Sequence, residues 1–136
     1  MTTAEIAQAV AEALLGTYPD WQIVRTYLPE AEAETIQKRL TVVPRGTAFQ
    51  TLARGTTRVV HRVDVALQDR LDSPTEPTAF DALVAETHAM ALFLDGLRPA
   101  GCYAAEIEIE PLYSLEHVRS AHVFTAVIQT TYHEPV

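Results

Sequence analysis

A single α+β domain is predicted, built on a largely antiparallel sheet of about five strands with two main helices packed on one face. Three observations predict it. Val59, His61, Val63, Val65 and Leu67 alternate with Arg58, Val60, Arg62, Asp64, Ala66 and Gln68, the period of a strand with one buried and one wetter face. Two segments, about 3–15 and 78–97, repeat apolar residues at helical spacing. The length is 136 residues with 48% hydrophobic content, which suits one domain over 1–136 whose core needs no metal or disulfide.

The elements follow in chain order. Thr2 and Glu5 have the spacing of a capping box, and Ile6, Val10, Ala13 and Leu14 share a face, so the first helix is expected over about 3–15 with Gly16 as its left-handed cap. Gln22–Leu28 is rich in β-branched and aromatic residues and reads as a strand. Pro29 and the acids after it suggest a short helical turn near 30–35, followed by a strand near 38–44 that ends at Pro44, Arg45 and Gly46. Residues 45–57 carry two glycines, several threonines and no acid. They read as a long loop or a mobile hairpin, and connections of that length are usually functional or disordered.

The strand at 58–68 comes next, then a loop containing Asp72, Ser73, Pro74 and Pro77. Thr78 and Asp81 repeat the capping-box spacing at the head of the longest helix. Its core stripe is Phe80, Leu83, Val84, Thr87, Met90, Ala91, Leu94 and Leu97, with Asp81, His88 and Asp95 roughly opposite. Leu92 falls beside the polar stripe and Phe93 at the edge of the apolar one. A helix covering one sheet needs neither, so both are candidate subunit-interface residues. Gly101 turns the chain into a strand where Ala105, Ile107 and Ile109 alternate with Glu106, Glu108 and Glu110. One helical turn is expected in 114–120 and a final strand in 123–132, where β-propensity is high.

Charge is unevenly distributed. The formal net charge is −8, which argues against whole-surface attraction to nucleic acid or anionic lipid. Yet no acid lies between Glu34 and Asp64, an interval that holds Lys38, Arg39, Arg45, Arg54, Arg58 and Arg62. Two readings stay open. Arg58 and Arg62 could pair across strands with the Glu106–Glu110 row; Arg45 and Arg54 could sit on a projecting loop that docks on an acidic partner surface. The glutamate row is either an ordinary exposed strand face or the acidic lining of a channel.

No catalytic, cofactor-binding or metal-binding constellation is expected. His61, His88, His117, His122 and His133 lack metalloprotease spacing. His61, on the apolar phase of its strand, reads as a satisfied core or interface histidine. Cys102 is the one cysteine, so it can form no internal disulfide and reads as a small packing residue. Ser73, Ser114 and Ser120 sit in no nucleophile elbow, and the five glycines form no phosphate-cradling loop. No secretory signal and no apolar run of about 20 residues is visible, so a soluble intracellular domain without a membrane partner is expected.

Three segments together carry a resemblance: LTVVPRG at 40–46, RVVHRVDVALQDRL at 58–71, and EPLYSLEHVRSAHVFTAVIQTTYHEP at 110–135. With the two helices, their order resembles the tail terminator (tail completion) proteins of tailed bacteriophages and prophages. The resemblance spans most of the chain in element order but is specific only in those segments, none of which is a catalytic signature. It implies a non-enzymatic virion protein with no cofactor, made in the host cytoplasm and placed at the tail–neck region. Such a protein forms a hexameric ring, caps the tail tube protein at full tail length, and offers a surface to the neck or head-completion protein. DNA would pass through without specific binding. The chain departs from that pattern in having Lys38 as its one lysine and in the Ser-Pro-Thr-Glu-Pro insert at 73–77. Another neck or head–tail connector, a tail-tube-like subunit, a small α+β enzyme using Cys102 with a histidine, and a ligand-binding module remain the alternatives.

Overall fold

The computed structural model describes residues 1–27, 37–73 and 75–135. Helix α1 spans Thr3–Thr17 and is capped as its sequence requires. The Thr2 hydroxyl accepts from the Glu5 N–H at 3.2 Å, and the Glu5 carboxylate accepts from the Thr2 N–H at 3.4 Å. Ile6, Val10 and Leu14 are fully buried. The helix does not stop at Gly16: it runs one residue further, and Tyr18 closes it by donating its N–H to the Leu14 carbonyl at 2.7 Å. The Tyr18 ring also packs edge-on against Phe93, so a tertiary contact, rather than glycine, sets the end of the helix.

Strand β1 is short, Gln22–Arg25. The helical turn expected near 30–35 lies outside the described residues. Strand β2 covers Arg39–Ala53 and β3 covers Thr56–Arg70. The strand expected to end at Pro44 therefore continues nine residues beyond it. The register explains why proline is tolerated. The Val42 carbonyl accepts from Thr26 on the β1 side, so position 44, of the same phase, turns its missing N–H toward an edge that β1 no longer reaches. A bulge at Arg45 follows, and pairing then continues to the Ala53–Thr56 closing pair, across a turn in which Gly55 has φ +80°. A side chain at Gly55 would be strained there.

Helix α2 is Pro77–Gly96, β4 is Tyr103–Ile109, α3 is Leu115–Ala121 and β5 is Val123–His133. The capping box expected at Thr78 and Asp81 is absent. Glu76 is the N-cap without a side-chain bond, and Pro77 opens the helix, where its missing N–H costs nothing and its fixed φ suits the first turn. The expected core stripe of α2 is buried or half-buried throughout, while Asp81, His88 and Asp95 are exposed. Ser114 caps α3 by accepting from the His117 N–H.

The sheet order is β1-β2-β3-β5-β4. Only the β1–β2 pair is parallel. Val63, Val65 and Leu67 face the helices and pair with Thr130, Ile128 and Ala126 of β5. With Leu40, Val42, Phe124, Met90 and Leu94 they form a continuous buried core. The Tyr132 hydroxyl donates to the Leu94 carbonyl at 3.1 Å, tying α2 to the centre of the sheet. The α+β domain expected from the sequence is the fold observed.

Candidate assembly surfaces

The hairpin of β2 and β3 is longer than the layer of helices above it. Its base is clamped. The Thr3 hydroxyl at the head of α1 meets His61 Nδ1 at 2.8 Å and makes a short contact with the Thr47 hydroxyl. His61 Nε2 meets Glu134 Oε1 at 2.8 Å. A carboxylate only accepts, so His61 Nε2 donates to Glu134, while the Thr3 hydroxyl bonds His61 Nδ1 and donates to the Gly46 carbonyl at 3.3 Å. The expectation for His61 holds: it is fully buried and satisfied on both nitrogens. The order carboxylate–imidazole–hydroxyl is that of a hydrolytic relay, but Thr3 is buried and its hydroxyl is held by Thr47 and Gly46. The group works as a clamp between the start of α1, the hairpin and the residues after β5.

Beyond the clamp the hairpin becomes an arm. The segment at 45–57, expected as a loop or a mobile hairpin, is paired strand apart from the Arg54–Gly55 turn. Phe49 is in the phase of His61 and Val63, the phase that faces the helices, but α1 begins at Thr3 and reaches only Thr47. Phe49 is consequently 72% exposed, and Leu52 near the tip is also exposed. The two arginines expected on a docking loop are separated. Arg54 sits exposed in the turn, whereas Arg45 lies in β2 and its Nε donates to Asp64 Oδ2 at 2.7 Å. Arg45 is therefore engaged inside the subunit, because the bulge turns it toward β3.

Leu92 and Phe93 also part. Leu92 is 62% exposed on α2. Phe93 is half-buried, with its ring 5.8 Å from that of Tyr18, so the subunit itself uses much of this ring.

Glu106, Glu108 and Glu110 lie along the outer edge of the sheet on the face away from α1 and α2. A bulge at Ala105 brings Glu106 opposite Thr131 and Glu108 opposite Gln129. The mutual hydrogen bond and charge of Glu110, with Glu106 on the other side, hold the Glu108 carboxyl above its ordinary pKa. The cross-strand pairing with Arg58 and Arg62 is not made within the subunit. Strand β5 stands between β3 and β4, so Arg62 is opposite Thr131 instead, and no ion pair joins the row to either arginine among the described residues. Arg45, Arg62, Asp64, Glu106 and Glu108 ring a polar hollow of about 410 Å³ on this face. A carboxylate on every second residue of an edge strand also discourages a foreign strand from pairing there.

A second hollow, of about 500 Å³, is apolar. Pro77, Phe80 and Val84 from the start of α2 face Leu112 and Tyr113 from the loop after β4, and Asp81 stands at its margin. Phe80 packs edge-on against both Tyr113 and Phe124. Phe80 belongs to the core stripe expected of α2, whereas no pattern in the sequence singles out Tyr113. No local period links two segments thirty residues apart, so nothing in the sequence marked the hollow.

Cys102 is fully buried, and that burial pushes its thiol pKa up. This disfavours the thiolate a nucleophile requires. Among the described residues no group of three His, Cys, Asp or Glu side chains is placed to hold a metal ion, and no helix is long and apolar enough to cross a membrane.

The hydrogen bond from His61 holds the Glu134 carboxyl below its usual pKa. Burial, with the charge of Arg58, likewise lowers His133. Both groups bind protons less readily folded than unfolded. Their contribution is present above the unfolded pKa values, about 4.3 for Glu and 6.5 for His, and is lost as pH falls through the folded ones. Glu134→Gln should therefore flatten the decline of the urea midpoint on the acid side of pH 4.3. A variant whose midpoint falls with acid as steeply as the wild type's would detach that decline from Glu134.

No protein-family model matches the chain, and no curated protein matches it. Among solved structures it is similar to a chain of one described as "Virion of native gene transfer agent (GTA) particle". The match covers 96% of this chain and 92% of that one, with a TM-score of 0.51 and 15% sequence identity. At that identity the likeness is one of fold.

Proposed function

We propose that this chain is a structural, non-enzymatic component of a phage-like virion, and within it the tail terminator: a ring of six copies that caps the tail tube and presents the surface to which the head or neck attaches. The observation that carries the reading is the likeness in fold to a virion chain over nearly the whole of both chains. The finer assignment rests on the resemblance of the segments at 40–46, 58–71 and 110–135. Surfaces left over by the subunit agree with it. The arm tip, Leu92 and the apolar hollow are all exposed apolar features that a monomer does not use. In the ring the glutamate row would face the channel, where six copies place about 18 carboxylates that repel passing DNA phosphates. The tube protein and the neck protein would meet opposite faces of the ring.

Light scattering on the purified protein, with negative-stain images, tests the proposal. A closed ring near 90 kDa is expected from a 15.0 kDa chain. Polymerisation without limit would instead make this a tube-like subunit, since a terminator stops at one ring. Leu92→Asp should weaken the ring; assembly equal to the wild type's would remove that face of α2 from the subunit contact.

A further inference from the structure

We infer that the ring is closed by the hairpin arm of one copy seating in the apolar hollow at the head of α2 of the next; this contact deepens the proposed ring and rests on it. The two surfaces are unlike and complementary. The arm offers Phe49 and Leu52, exposed and held out on paired strands. The hollow offers Pro77, Phe80, Val84, Leu112 and Tyr113 around about 500 Å³, a size that admits compact apolar groups.

Charge selects this occupant. From residue 35 to 63 the chain has six basic residues and no acid, and Arg54 and Arg58 flank the tip. From 71 to 97 it has five acids, namely Asp72, Glu76, Asp81, Glu86 and Asp95, and no lysine or arginine. Asp81 lines the hollow and Glu76 is exposed beside it. A basic apolar tip meeting an acidic apolar socket is favoured both in encounter and in register.

Position dictates a contact between copies. The tip is at Thr56, where β3 begins, while Phe80 touches Phe124, which pairs with Asp69 at the other end of β3. Thirteen residues of strand separate the two ends by about 40 Å, so no arm reaches its own hollow. Plug and socket on opposite ends make a heterologous, head-to-tail contact, the kind that closes into rings. The clamp of Thr3 on Thr47 orders the base of the arm before binding, so little ordering entropy opposes docking.

The test mixes two defective chains. Phe49→Asp spoils the arm and Leu112→Asp spoils the hollow; both residues are exposed, so each variant should melt like the wild type. Each alone should associate at least tenfold more weakly. Mixed in equal amounts they retain one good arm and one good hollow per pair, and should give a dimer that grows no further. In parallel, Phe49→Cys chains mixed with Leu112→Cys chains should cross-link on mild oxidation, with the buried Cys102 silent. Wild-type rings with Phe49→Asp rings of equal stability would overturn the arm-in-hollow contact and leave the ring reading intact. Cross-linking between chains that never form rings would uphold the contact and overturn the ring. Neither rings nor cross-links would overturn both.

Discussion

Replacing Phe124 by alanine should cost about 3–5 kcal/mol of unfolding free energy. Phe124 is fully buried at the start of β5, and its ring meets Phe80 edge-on at 6.1 Å. Truncation removes that apolar surface from the core and leaves a cavity that rigid neighbours fill only in part. A domain of this size has about 5–15 kcal/mol in total, so the variant sits close to unfolding at room temperature. Phe124→Leu keeps most of the volume and should cost less than about 1.5 kcal/mol. Urea titrations of both variants measure the difference. Similar costs for alanine and leucine would mean that the site collapses around the deletion. Because Phe80 also supports Tyr113, the alanine variant should disturb the apolar hollow as well, which leucine would largely preserve.

The second large effect is expected at His61. His61→Leu has a suitable shape for a fully buried strand position but leaves the Thr3 hydroxyl and the Glu134 carboxylate without their imidazole partner. Stranding a buried polar group costs about 1–3 kcal/mol. Thr3 keeps Thr47 and Gly46, and Glu134 is partly open to water, so a loss of about 2–3 kcal/mol is expected rather than the sum of two full penalties. Thermal unfolding reads the total. Hydrogen exchange locates it: amides at the base of the arm and in the first turn of α1 should lose protection before those of β5. Uniform loss across the sheet would show that His61 acts as core filler and that the clamp adds nothing local.

Whatever repeats over a few residues was legible in the sequence. The Thr2–Glu5 box needs contacts only three residues apart, and it formed as written. The phase of Val63, Val65 and Leu67 needs only strand pleating, and it held. The stripe of α2 held for the same reason, although its cap did not. Pro77 settles the start of that helix more strongly than the Thr78–Asp81 spacing, because a ring-locked φ acts on the backbone itself. Pro44 does not end β2, because its missing N–H matters only where a neighbouring strand asks for it, and β1 has already ended there.

Which strands are neighbours, and what reaches a given side chain, was decided by the tertiary structure. Placing β5 between β3 and β4 sets Arg62 against Thr131 and leaves the glutamate row without its arginines. His61 was legible as a satisfied histidine, but its partners are 58 residues before it and 73 after it. The exposure of Phe49 follows from α1 reaching no further than Thr47. By itself the sequence determined the two main helices, the buried phases of β3 and α2 and the segregation of charge, because those follow from residues adjacent along the chain. Strand order, the length of the free arm and the hollow at the head of α2 were left to the tertiary structure, because they depend on where one element ends in space relative to another far away in sequence.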